Sequence, residues 1–104
     1  MPPGELAFWI QIRDLGGWER QYRFSKTRRW QFDFCNPKLM LAVEIDGGSG
    51  AQAHGQVWRR EQDYHKRNVA VEKGWRVLVG TTRMAESGEL LDYVRRCLVG
   101  RSGE

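Results

Sequence analysis

The spacing of apolar residues changes several times along the chain, and each change marks an element. From Gly4 to Asp14, Leu6, Trp9, Ile10 and Arg13 recur on one face at helical spacing until Gly16-Gly17 ends the pattern. The period then falls to two. Arg20 to Phe24 predicts a short strand, and Trp30 to Cys35 alternates, with Trp30, Phe32 and Phe34 on one side and Gln31, Asp33 and Cys35 on the other. Asn36-Pro37-Lys38 is a turn signal. Leu39 to Asp46 resumes the alternation, placing Leu39, Leu41, Val43 and Ile45 opposite Met40, Ala42, Glu44 and Asp46. Two strands joined by so short a turn form a hairpin, so the faces carrying Asp33 and Glu44 can coincide.

Gly47-Gly48-Ser49-Gly50 is a flexible loop that forbids the strand from continuing. Gln56 to Lys73 reads as a long helix, with Val57, Tyr64 and Val71 at sevenfold spacing and Gly74 placed to terminate it. Trp75 to Gly80 suits a buried strand, which a helical crossover would allow to pair parallel with an earlier one. Ala85 to Val99 predicts a last helix with Leu90, Leu91, Val94 and Leu98 as its core stripe. The order αβββαβα defines an α/β fold, a mixed β-sheet flanked by helices, in one domain over residues 1–99. Residues 100–104 form a tail predicted to be disordered.

Composition narrows the picture. A chain of 104 residues with 40% hydrophobic content builds one core, so a site must lie on that core's surface or edge. The longest apolar runs, such as Leu39 to Val43, are too short to cross a bilayer, and no charged-then-apolar leader is evident. The expectation is a soluble, cytoplasmic protein with no membrane partner. Cys35 and Cys97 are the only cysteines, and with His54 and His65 they match no zinc spacing, which argues against both a disulfide framework and structural zinc.

Lys and Arg number 17 against 13 acids, a formal net charge of +4, which favours a polyanionic partner. The basic residues fall in two runs, Arg20 to Arg29 and Arg59 to Arg67, interleaved with Trp18, Tyr22, Trp30, Trp58 and Tyr64. Two readings fit: phosphate contact with base stacking, or solvated faces whose arginine stems lie over aromatic rings.

Three acids meet at the hairpin. Glu44 and Asp46 share a face, and Asp33 interrupts an aromatic strand, where an unpaired charge is costly. Like charges so close repel unless a cation or proton lies between them, and an oxygen-only site suits Mg²⁺ or Mn²⁺. The alternative is that these acids are solvated turn formers before a glycine-rich loop.

The ordered set Arg29-Trp30-Gln31-Phe32-Asp33-Phe34, Leu41-Ala42-Val43-Glu44-Ile45-Asp46-Gly47-Gly48, His54, Asp63-x-x-Lys66-x-Asn68 and Gly74-Trp75-Arg76-Val77-Leu78 resembles the small phage and bacterial branch of the PD-(D/E)XK nucleases. That branch lies near the Vsr-like endonucleases and the RecB-like or archaeal-type Holliday junction resolvases. The match runs from about Glu5 to the final helix. The resemblance implies a restriction-endonuclease-like core in which Asp33 and Glu44 bind Mg²⁺, with Mn²⁺ able to substitute, helped by the backbone carbonyl of Ile45. It also implies a catalytic acid at Glu5, whose place in a first helical turn equally suits a partner for the helix dipole.

Two positions depart from the family pattern. The proline before the aspartate is Phe32 here, which removes no chemistry. The lysine two residues after the glutamate is Asp46, leaving the site short of a cation to stabilise charge on the phosphate, although Asp46 itself stays among the candidate catalytic groups. Lys66 is the candidate replacement: it lies three residues from Asp63 on the predicted helix, a spacing that also describes a surface ion pair. The expected activity is Mg²⁺-dependent DNA hydrolysis on a branched or junction substrate, in the manner of a Holliday junction resolvase acting as a homodimer. Arg23, Lys26, Arg28, Arg29, His54, Arg59, Arg60 and Arg67 would hold DNA, although His54 also reads as a loop residue without a role. The alternatives are a catalytically inactive nucleic-acid-binding module with the nuclease fold and a mismatch-type nicking endonuclease.

Overall fold

The computed structural model describes residues 1–46 and 56–99, with the side chains of residues 56–59 outside the described set. Helix α1 (Pro3–Ile12) precedes strands β1 (Glu19–Arg23), β2 (Gln31–Asn36) and β3 (Leu41–Asp46). Helix α2 (Gln56–Glu72), strand β4 (Arg76–Thr81) and helices α3 (Thr82–Ser87) and α4 (Glu89–Leu98) follow. The result is an α/β architecture whose single four-stranded sheet has the order β1-β2-β3-β4. β1, β2 and β3 are antiparallel neighbours, and β4 lies parallel to β3, as a helical crossover requires. The loop expected at 47–50, His54 and the tail at 100–104 lie outside the described residues.

Helices cover both faces of the sheet. Phe8 and Ile12 of α1, Ala85 of α3 and Leu90 and Val94 of α4 pack on Phe34, Leu41 and Val43, all fully buried. Each large side chain so enclosed stabilises the fold by about 1.5–3 kcal/mol. On the opposite face Ala70 of α2 joins Phe32, Cys35, Ala42 and Trp75 in a second cluster. The two faces exchange adjacent residues of one strand, because period two sends Val43 to one cluster and Ala42 to the other.

Several sequence expectations are corrected. The buried stripe of α1 is Gly4, Phe8 and Ile12, whereas Leu6 and Ile10 are about half exposed. Gly4 is required there, because a Cβ would stand 2.9 Å from Thr82 Oγ1 and 3.1 Å from Thr82 Cα, and so decides which face docks. On α2, Tyr64 and Val71 face solvent, and Ala70 makes the core contact instead. The last helix is two helices: Gly88 takes a left-handed conformation at φ 91°, and the Thr81 hydroxyl caps α3 by accepting from the Met84 amide. Leu98 is exposed rather than in the stripe. Leu39 belongs to a 3₁₀ turn (Pro37–Leu39), so β3 begins only at Leu41, after Met40 at φ 53°. The end of α2 is as expected, since Gly74 at φ 96° closes it.

Candidate functional site

The aromatic strand does not alternate cleanly. Phe34 packs in the cluster beneath α1 and α4, while Phe32 packs on the α2 side with Trp75 and stacks on Phe24 at 4.2 Å. Trp30, Phe32 and Phe34 therefore do not share a side as expected. The irregularity lies at Asp33: its neighbour across β1, Gln21, is skipped in the pairing and holds φ 55°, an uncommon conformation for a residue with a Cβ. A local break in the ladder re-aims one side chain without dismantling the sheet. Here it releases Asp33 from the backbone pairing and carries it to the end of β3.

At that end β3 presents Glu44, Ile45 and Asp46 in parallel register with Val79, Gly80 and Thr81 of β4. The Ile45 amide donates to Asp33 Oδ2 at 2.8 Å, tying β2 to β3 beyond the last regular pair, Phe34 with Val43. Glu44 is held from the other side: Lys66 of α2 donates from Nζ to Glu44 Oε2 at 2.7 Å, and both side chains are 14% exposed. Asp33, Glu44, Ile45, Asp46, Asp63, Lys66, Arg67 and Val79 line one cleft of about 220 Å³. The carboxyl ends of parallel strands are a common place for ligand sites, because the crossover helix leaves a crevice there.

Burial is the main electrostatic fact of the cleft. It pushes the Asp33 carboxyl up, against the opposing effects of the Ile45 amide and Lys66, with Asp63 adding to the rise. Burial also raises Glu44, where the charge and hydrogen bond of Lys66 oppose it and Asp33 and Asp63 reinforce it. Glu5 does not line the cleft, yet it lies close enough to feel it: burial and then Asp33 raise its carboxyl, and Gln21 Nε2 stands 3.5 Å from Glu5 Oε1. Asp46 is exposed at the rim.

The donor set fits a hard divalent cation. Among the described residues, Asp33 Oδ1 and Glu44 Oε1 have no hydrogen-bond partner, while the second oxygen of each carboxylate is fixed by Ile45 or Lys66. No group of three or more His, Cys, Asp or Glu side chains arranged for a metal occurs among the described residues. Mg²⁺ does not need such a group, since this ion keeps several waters and is commonly held by one or two carboxylates together with substrate oxygens. Asp33 and Glu44, with the Ile45 carbonyl, are the residues that would hold it.

The cleft also contains two residues not expected among its catalytic or metal-binding groups, Asp63 and Arg67. Arg67 was expected among the DNA-holding arginines, and Asp63 carried no assigned role beyond its motif. Asp63 stands three residues before Lys66 and four before Arg67 on one helix, and that spacing was the available signal. Arg23, Lys26, Arg28 and Arg29 lie on β1 and the segment after it, where Arg28 sits 5.1 Å over the Trp30 ring and Arg23 donates to the Arg28 carbonyl. Because β1 is a sheet edge, this basic stretch is separate from the cleft. Arg60 is exposed on α2; the side chain of Arg59 lies outside the described residues. Among the described residues no helix is long and apolar enough to cross a membrane. Comparison of the chain with protein-family models, curated proteins and solved structures gives no match in any of the three.

Proposed function

We propose that the protein is a metal-dependent endonuclease with a restriction-endonuclease-like core, hydrolysing DNA phosphodiester bonds in the cytoplasm. The observation that carries this reading is the convergence of Asp33 and Glu44, from two neighbouring strands, on one cleft with Lys66 bonded to Glu44. When bound, Mg²⁺ or Mn²⁺ would supply an activated water and offset the charge that builds on the phosphate. The chain's own part is to orient: the Ile45 amide fixes the Asp33 carboxylate, and Lys66 fixes Glu44 while adding a positive charge to the cleft. Glu5 adds an acid near Asp33, and the arginines along β1 supply backbone contacts. A branched or junction duplex is the favoured substrate, cut by a homodimer, because a domain this small has little surface for reading sequence and paired nicks need only twofold symmetry.

A second reading, a binding module that has lost catalysis, is favoured by Asp46 at the motif's lysine position and by the direct Lys66 bond to Glu44. Incubation with junction, flap, mismatched and linear DNA in Mg²⁺ or Mn²⁺ separates the readings. The nuclease reading expects cutting, strongest on branched DNA and abolished in Asp33→Asn. Binding without cutting, equal in the parent and in Asp33→Asn, supports the module. Cutting confined to the mismatched duplex assigns a nicking enzyme instead.

A further inference from the structure

We infer that Arg67, rather than Lys66, is the cleft's phosphate-binding cation, a reading that rests on the nucleic-acid function proposed above. The two basic residues of the cleft differ in what they are committed to. Lys66 is already bonded to Glu44 at 2.7 Å. Arg67 makes no ion pair within the described residues, although four acids, Asp33, Glu44, Asp46 and Asp63, line the same cleft. Its Nε is buried and has no hydrogen-bond partner among the described residues. A buried N–H without an acceptor is costly, and a charged donor more so, hence such a group is usually completed by a ligand, a water or an ion.

The guanidinium is not loose. It lies 5.8 Å from the Tyr64 ring centroid one turn earlier on α2, a contact that holds it without using its hydrogens. What Arg67 lacks is an acceptor, and the planar fork of a guanidinium matches two oxygens of a phosphate group. The acids of the cleft would repel that phosphate while they are unneutralised. The anion should therefore enter best once a divalent ion offsets Asp33 and Glu44, which couples Arg67 occupancy to metal occupancy.

The experiment follows the Arg67 Nε–H resonance in ¹⁵N-labelled protein, assigned by its loss in Arg67→Lys. Duplex and junction DNA, and separately inorganic phosphate, are added in EDTA and in Ca²⁺. We expect the Arg67 signal to move with DNA, more in Ca²⁺ than in EDTA, and the Lys66→Met variant to show the same movement. Movement with inorganic phosphate alone would identify a free-anion site. In binding assays Arg67→Met should weaken DNA by roughly tenfold or more and lower the slope of log affinity against log salt by about one, whereas Arg67→Lys should restore the slope but only part of the affinity. An Arg67 signal unmoved by every ligand in both buffers, or an unchanged salt slope in Arg67→Met, overturns the inference. Cleavage is scored separately: a parent that never cuts while its Arg67 signal moves removes the nuclease reading and leaves the phosphate contact standing.

Discussion

The amide of Ile45 on β3 donates to the carboxylate of Asp33 on β2 at 2.8 Å, one step beyond the point where regular pairing of the two strands stops. A side chain thus continues a connection that the backbone has abandoned, and it does so with a residue whose charge the surroundings penalise. Function and stability should therefore separate at this position.

Asp33→Asn keeps an oxygen for the Ile45 amide and removes a charge that burial disfavours. In metal-free buffer at pH 7 it should be at least as stable as the parent while losing cleavage. Asp33→Ala leaves the amide without its partner and should cost about 1–3 kcal/mol. Urea unfolding of the three proteins decides the matter; equal losses in the two variants would show that the carboxylate charge, not the acceptor, holds the strands.

The Lys66–Glu44 pair should be coupled more strongly than a surface ion pair, because both side chains are 14% exposed. Lys66→Met alone strands a largely buried carboxylate and should cost about 1–3 kcal/mol. Adding Glu44→Gln should recover part of that loss. A double-mutant cycle giving a coupling energy within the range of exposed pairs, about 0.2–1 kcal/mol, would contradict the geometry.

Acid should weaken the junction of α3 and α4. Arg83 and Ser87 hydrogen-bond to Glu89 and hold its carboxyl below the usual range. A carboxyl depressed in the folded state contributes stability that is present above its unfolded value and is lost as pH falls through the folded one. Melting curves from pH 6 down to pH 2 should show Glu89→Gln with a shallower acid decline than the parent, and superimposable declines would remove the assignment. The effect should be modest because the pair is exposed.

Thiol chemistry reports on the sheet. Burial, with Glu19 adding to it, pushes the Cys35 thiol up to about 12, whereas Cys97 is partly exposed. Ellman's reagent at pH 8 should therefore modify Cys97 in the native protein and reach Cys35 only in denaturant. Rapid reaction of both would mean that the α2 side of the sheet opens readily.

Much of this arrangement was legible in the residues. Asn36-Pro37-Lys38 marked the hairpin, Gly74 marked the end of α2, and the apolar run after it marked a strand able to pair parallel with an earlier one, which the structure identifies as β3. Glu44 was correctly placed on the face opposite Val43, because period two is a local property of an extended chain. Asp33 was expected beside Glu44 through an alternation that in fact breaks between Phe32 and Phe34, and the two meet in one cleft all the same. The helix faces were misread where apolar residues outnumbered buried positions: Leu6, Ile10, Tyr64 and Val71 fit a helical stripe as well as the side chains that are buried.

The sequence by itself determined the order of the main helices and strands, though not the 3₁₀ turn at Leu39 or the break at Gly88, and that acids gather at the close of β3, since propensity, turn chemistry and periodicity act between near neighbours. Only the tertiary structure decided that α1 docks through Gly4, that Lys66 is tied to Glu44 and that Arg67 is left unpartnered. Those outcomes depend on distances between segments that are remote in the chain, and packing, not local preference, sets such distances.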